Sequence, residues 1–257
     1  MAAYSLQNVS FQYREKAKII NRLTIEISEN QIVVLLGANG VGKSTFLKLC
    51  LGFLEPNTGQ ILLNGQNLNA QPPSVIGKAI AYTPQSPEYP FQLSVEDYIL
   101  LGRTPHLRSF QSPKEEDRSI AADILTLLEI DYLANRTLQE ISGGEKQLAT
   151  FGRVIAQGTP ILLLDEITSD LDIKNTLKVI KVLTDMKTNH TIIVSTHDPQ
   201  IAEAIADTLV LFKPNQVINY GPPNRLLTAQ NLSDTYQIPQ SAIQENPIQI
   251  QWNKKKA

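Results

Sequence analysis

The chain has 257 residues, 42% of them hydrophobic, enough to bury a substantial core in one large domain or two lobes. Its 23 Lys and Arg nearly balance 25 Asp and Glu, for a formal charge of -2, so nothing global argues for a nucleic-acid binder or a polyacidic tail, and any basic binding surface has to be local. The longest apolar runs, 32–36 and 161–164, are far shorter than the roughly 18 residues a membrane-spanning helix needs.

Residues 4–13, 23–28 and 60–63 alternate or cluster apolar side chains between turn signals such as Ser28-Glu29-Asn30, Asn57-Thr58-Gly59 and Asn64-Gly65. That pattern predicts strands and hairpins. From about residue 90 the spacing changes, and 95–101, 115–130 and 145–156 carry apolar residues three and four apart, as helices do. Ser112-Pro113-Lys114-Glu115 reads as a helix start, with Ser112 as cap and Pro113 at the first helical position. Further on, apolar runs at 161–164 and 191–194 flank a helical pattern at 173–186, which predicts parallel strands joined by a crossover. The chain therefore leaves an α/β core, visits a helical insert and returns. Its polar end, closing on Lys254-Lys255-Lys256, reads as a solvated terminus. The N-terminus lacks the basic and apolar stretches of a secretory signal, and Cys50 is the single cysteine, so the expected compartment is a reducing cytosol.

The most informative segment is Gly37-Ala38-Asn39-Gly40-Val41-Gly42-Lys43-Ser44-Thr45, between the apolar run 32–36 and a helical pattern at 45–51. Glycines let backbone N–H groups converge on phosphate oxygens, and the following helix N-terminus adds partial positive charge. Lys43 is expected to neutralise the β- and γ-phosphates of a nucleotide, and the Ser44 hydroxyl to ligate Mg²⁺. The run 161–164 ends in Asp165-Glu166, where a strand's carboxyl end meets ligands in open α/β sheets. Asp165 is placed to hold the Mg²⁺ shell and Glu166 to polarise the water attacking the γ-phosphate. Ile141-Ser142-Gly143-Gly144-Glu145 opens a helix; Ser142 and Glu145 suit a capping box, but capping needs no Gly-Gly pair. Paired glycines weaken a helix, so they point to close approach by something anionic.

With this third segment the sequence resembles the ATP-binding cassette (ABC) ATPases, over roughly residues 4–236. The resemblance implies an α/β P-loop NTPase core with an N-terminal antiparallel β-subdomain and an inserted α-helical subdomain. On that basis the ATP-binding domain spans 1–236, with the core at 1–88 and 158–236, the helical insert at about 89–157, and a polar tail at 237–257. It also implies that Gln85 senses Mg²⁺ and the attacking water, that His197 contacts the γ-phosphate, and that Tyr13 stacks on adenine. Asp172, in Ser169-Asp170-Leu171-Asp172, falls in the loop that couples two opposed subunits. Ser142, Gly143 and Gly144 are implied to complete the ATP site of a second copy in a head-to-tail homodimer. Where the family usually has Pro after the catalytic Glu, this chain has Ile167, for which altered loop stiffness rather than lost hydrolysis is expected.

The run from Leu93 to His106, with Gly102-Arg103-Thr104-Pro105-His106, resembles the importer branch that serves iron–siderophore, haem, cobalamin and related systems, as does the C-terminal stretch Gly221-Pro222-Pro223 to Pro239. The resemblance places Arg103 and His106 in the lobe that receives a membrane subunit. It implies integral membrane permease partners, an indirect partnership with a substrate-binding protein, and a peripheral location on the cytoplasmic face of the inner membrane. The alternative is a soluble ABC ATPase working on nucleic acid or ribosomes; one cassette, no long coiled-coil insertion and no basic excess argue against it. A metabolic kinase would leave Ser142-Gly143-Gly144 unexplained.

Overall fold

A computed structural model describes residues 2–14, 18–85, 89, 92–108, 111–213 and 216–245. The N-terminal half begins with β1 (Ala2–Phe11), β2 (Ile20–Ser28) and β3 (Ile32–Leu36), then α1 (Lys43–Cys50), β4 (Thr58–Leu63), β5 (Gln66–Asn67), α2 (Pro73–Ala79) and β6 (Ile80–Thr83). In β2 the buried Ile20, Leu23, Ile25 and Ile27 alternate with exposed residues, as a sheet with one solvated face requires. β2, β1, β4 and β5 form that antiparallel sheet, in this order. The Asn64-Gly65 turn between β4 and β5 has positive φ at both residues (49° and 78°), the geometry of a tight hairpin.

The helical insert contains α3 (Val95–Leu100), α4 (Glu115–Leu127) and α5 (Gly143–Ala156). The chain then runs through β7 (Ile161–Asp165), α6 (Ile173–Met186), β8 (Thr191–Thr196), α7 (Pro199–Ile205), β9 (Thr208–Lys213) and β10 (Gln216–Gly221), and closes with α8 (Pro223–Leu226), α9 (Ala229–Tyr236) and α10 (Gln240–Glu245). The second sheet has the order β10-β9-β3-β8-β7-β6, parallel throughout except for β10. β3, β7 and β8 are buried along their whole length, which explains why their sequences are continuous apolar runs.

Alternate side chains of this sheet enter two cores. Val33, Leu35, Leu163, Ile193 and Val210 join the first sheet and α1, while Ile32, Val34, Leu162, Leu164 and Val194 join the helices on the other face. Val95, Tyr98, Ile99, Leu148 and Phe151 from the insert share this second core, so insert and sheet are one apolar body.

Two boundaries differ from the sequence expectation. Ser112 does not cap α4: Lys114 is the N-cap residue, and its N–H donates 3.0 Å to Asp117 Oδ2. Asp117 is held there by Arg103, whose Nε lies 2.9 Å from Oδ1, so a tertiary ion pair moves the helix start past Pro113. The helical pattern at 115–130 likewise stops at Leu127, with Glu129 in the left-handed region (φ 52°). The segment taken as a polar tail opens with α10; Lys254-Lys255-Lys256 lies outside the described residues.

Candidate active site

The carboxyl ends of β3, β6, β7 and β8 converge on one edge of the parallel sheet. The loop 37–42 leaves β3 there, with Gly40 and Gly42 at positive φ (79° and 114°) before α1 begins at Lys43. A Cβ at Gly42 would lie 2.3 Å from Ile19 Cγ2, so the loop is closed against the strand sheet as well as being left-handed. Asn39 and Gly40 form the exposed tip, and Gly37 is buried against Phe212. Lys43 is almost fully buried: Nζ donates to the carbonyls of Gly37 (2.7 Å) and Ala38 (3.0 Å) and pairs with Glu166 Oε1 at 3.3 Å. Burial holds its ammonium below the usual lysine range, an effect that the Glu166 and Asp165 charges partly offset.

Asp165 ends β7. Its N–H donates 3.2 Å to Thr83 Oγ1, and its Oδ1 accepts from Ser195 Oγ at 2.5 Å. Oδ2 is buried and has no hydrogen-bond partner among the described residues. Burial raises the Asp165 carboxyl above the usual range, while the hydroxyls of Ser195 and Ser44 pull it back. An orphaned carboxylate oxygen of this kind is costly unless another group is meant to meet it.

Glu166 follows in a left-handed conformation (φ 52°), rare for a non-glycine residue. Three neighbours impose it. The Glu166 N–H donates to Ser195 O (3.2 Å) and Ser195 Oγ (2.9 Å), and its carbonyl accepts from Ser169 Oγ (2.9 Å) and Gln147 Nε2 (3.4 Å). The carboxylate is thereby turned to the sheet edge, between Lys43 and His197, whose Nδ1 is 3.5 Å from Glu166 Oε2. His197 is half exposed beside a cleft of about 580 Å³ that runs on past Leu171, Ile173 and Leu177. Ile167 is fully buried in the second core and reaches no polar group of the site.

The remaining predicted residues fall into two sets. Tyr13 is half-buried, its hydroxyl 3.5 Å from Thr45 Oγ1 and its ring edge-on to Phe11, which sets it beside the first turn of α1. Gln85 is exposed two residues beyond β6, the neighbour of the Asp165 strand. Ser142, Gly143, Gly144 and Asp172 do not join the cluster. Ser142 caps α5, with its N–H and hydroxyl both 2.8 Å from Glu145 Oε2, and a Cβ at Gly143 would meet nothing within 4 Å. Gly144 faces the Asp170 carbonyl, and Asp172 Oδ1 accepts from the Asn175 N–H (2.8 Å) as the cap of α6. Ser195, Thr83 and Gln147 were not identified from the sequence. A Ser-Thr pair following the apolar Ile192–Val194 of β8, with Ser195 in register with Asp165, was the available signal for Ser195.

A glycine-rich loop carrying its lysine from a buried parallel strand into a helix has a well-defined use, the cradling of nucleotide phosphates, and it makes this protein a P-loop nucleoside triphosphatase. Within that class the chain belongs to the ABC transporter family, whose model matches residues 20–169. Members hydrolyse ATP to drive transport, and this chain is the ATPase of a transporter. It is 35% identical to the molybdate import ATP-binding protein MolC of Haemophilus influenzae, over 92% of this chain and 89% of that one. It is 31% identical to the achromobactin transport ATP-binding protein CbrD of Dickeya dadantii, over 88% and 85%. Among solved structures, a metal-chelate type ABC transporter in an inward-facing conformation superposes with a TM-score of 0.81 at 33% identity, covering 93% of this chain and 90% of that one. No helix among the described residues is long and apolar enough to cross a membrane.

Proposed function

We propose that this chain powers import of a metal-chelate-type substrate, such as an iron–siderophore, haem or cobalamin, through a separate membrane permease on whose cytoplasmic face it sits. The observation that carries the hydrolytic reading is the convergence of the buried Lys43, Asp165 and Glu166 with the half-exposed His197 at one sheet edge. The loop N–H groups from Gly37 to Gly42 and Lys43 hold the β- and γ-phosphates, Thr45 continues the cradle into α1, and Tyr13 stacks on adenine. A triphosphate is a stronger counterion for Lys43 than one carboxylate, so ATP frees Glu166 Oε1 from its ion pair. Glu166 then accepts a proton from water as the water oxygen attacks the γ-phosphorus and ADP leaves, while His197 steadies the γ-phosphate and Gln85 the water.

The donor set also suits Mg²⁺. The orphaned Asp165 Oδ2 and the Ser44 hydroxyl are hard oxygens beside the phosphate loop, and Gln85 adds a carbonyl at the next strand end. When bound there, the ion supplies neutralisation of phosphate charge.

The exposed Ser142-Gly143-Gly144 end of α5 is free to approach a second copy. ATP binding closes a head-to-tail dimer in which these residues cover the partner's nucleotide, with Asp172 in the coupling loop, and hydrolysis reopens it. The working body is discontinuous: 1–88 and 158–236 bind ATP, and 89–157 faces the permease, which in turn receives substrate from a separate binding protein. The metal-chelate assignment is supported by the Gly102 to His106 run and by the likeness to a metal-chelate type transporter.

Reconstitution with the permease and binding protein encoded beside it tests this. Ferric siderophore, haem or cobalamin is expected to stimulate ATP hydrolysis; stimulation by molybdate alone overturns the chelate assignment. Copurification with ribosomes or DNA, without a membrane subunit, overturns import.

A further inference from the structure

The last turn of α9 reaches back to the hydrolytic edge. Tyr236 donates its hydroxyl, at 2.7 Å, to the carbonyl oxygen of His197, 39 positions earlier. α9 is fixed for this: Thr228 caps its start, Tyr236 and Leu232 pack on the second core, and its end is closed by Ser233 Oγ donating 2.6 Å to Ile238 O. Burial, with the Asp198 charge adding to it, raises the Tyr236 phenol well above its ordinary value, so it stays a neutral O–H donor at any working pH.

His197 lies between two constrained neighbours. Thr196 completes β8 and accepts the Asp198 N–H on its Oγ1 (3.1 Å), and Asp198 caps α7 through the Gln200 N–H (2.8 Å). The His197 carbonyl belongs to neither the strand ladder nor the helix, and the Tyr236 bond holds it. The imidazole itself is 50% exposed and touches Glu166 at 3.5 Å, so packing does not fix it and the backbone must.

We propose that Tyr236 is a positioning residue of hydrolysis: from the end of α9 it fixes the His197 backbone and so aims the imidazole at the γ-phosphate side of Glu166. This rests on the reading of His197 as the residue that meets the γ-phosphate. α9 thereby becomes part of the ATP site although its sequence carries no nucleotide motif.

The test is a double-mutant cycle on the full chain, reading kcat and KM for ATP with Mg²⁺. Tyr236→Phe keeps the ring and its packing and removes only the hydroxyl. Loss of one such bond is expected to lower kcat about 5- to 10-fold, with KM unchanged within about twofold. In a His197→Ala background, adding Tyr236→Phe is expected to change nothing, because no imidazole remains to be aimed. Wild-type turnover in Tyr236→Phe, beside a slowed His197→Ala, overturns this inference alone, and so do losses that multiply in the double variant. Wild-type turnover in His197→Ala overturns the reading of His197 and the inference with it.

Discussion

The loop 37–42 and the segment 142–144 both set glycines at a helix N-terminus, yet their surroundings are opposite. Around the first, Lys43 and Glu166 are each about 95% buried, and Lys43 bonds Gly37, Ala38 and Glu166. Around the second, Ser142 and Gly143 are exposed, the Glu145 carboxylate turns back on its own helix, and a Cβ at Gly143 would meet nothing. Close packing accounts for Gly37 and Gly42 and positive φ for Gly40, and Gly144 faces the Asp170 carbonyl, but nothing inside this chain accounts for Gly143. The difference is the one the proposed head-to-tail dimer requires, with a buried half that works within the chain and an exposed half that serves a second copy.

The sharpest way to break that comparison is Glu166→Gln. If the buried half is hydrolytic, the variant loses on the order of 10²- to 10⁴-fold in turnover, as for a missing general base, while ATP binding persists. Turnover at the wild-type rate removes Glu166 from the chemistry. Nucleotide-dependent dimers are expected to accumulate in this variant, and light scattering with and without ATP measures them.

Gly143→Ala tests the other half. Alanine is the better helix former and meets no neighbour, so the isolated chain should unfold at the same temperature as wild type or slightly above it. In the assembled site an added methyl crowds the partner's nucleotide, and turnover should fall about tenfold or more. Unchanged turnover would mean that nothing approaches this helix end. Gly37→Ala is the control from the buried half: its Cβ would lie 2.8 Å from Phe212 O and 3.0 Å from Val41 Cγ2, so it should destabilise the monomer by about 1–3 kcal/mol, read by denaturant unfolding.

The two halves also differ in how far they could be read from sequence. The identity of β2, β3 and β7 was plain, because alternation in β2 and unbroken apolar runs in β3 and β7 are direct images of one-sided and two-sided burial, whereas β5, β6, β9 and β10 went unread. The loop glycines, Lys43 and the Asp165-Glu166 pair were legible because their chemistry is local. What stayed hidden depends on strand order. Ser195 bonds Asp165 from 30 positions away, Gln147 reaches Glu166 from 19 and Tyr236 reaches His197 from 39, and no local spacing marks such pairs. The start of α4 was misplaced for the same reason, since Arg103 decides where Asp117 sits.

Asp165→Asn separates binding from stability within the buried half. Burial raises this carboxyl above its unfolded value, so the folded chain favours the protonated form. That contribution is fully present below the ordinary carboxylate range and is lost as pH rises through the raised value. At neutral pH the wild type therefore carries a buried charge with an orphaned oxygen, and the amide removes that charge. The variant should melt a few degrees higher than wild type near pH 7, and the difference should shrink as pH is lowered toward 4. Hydrolysis should fall at the same time, because the oxygen that is costly to the fold is the one the proposed mechanism assigns to Mg²⁺. A variant that melts lower at pH 7 and converges with wild type in acid would show that the Asp165 charge stabilises the fold, through Lys43 and Ser195, and that its orphaned oxygen reflects no cost retained for function.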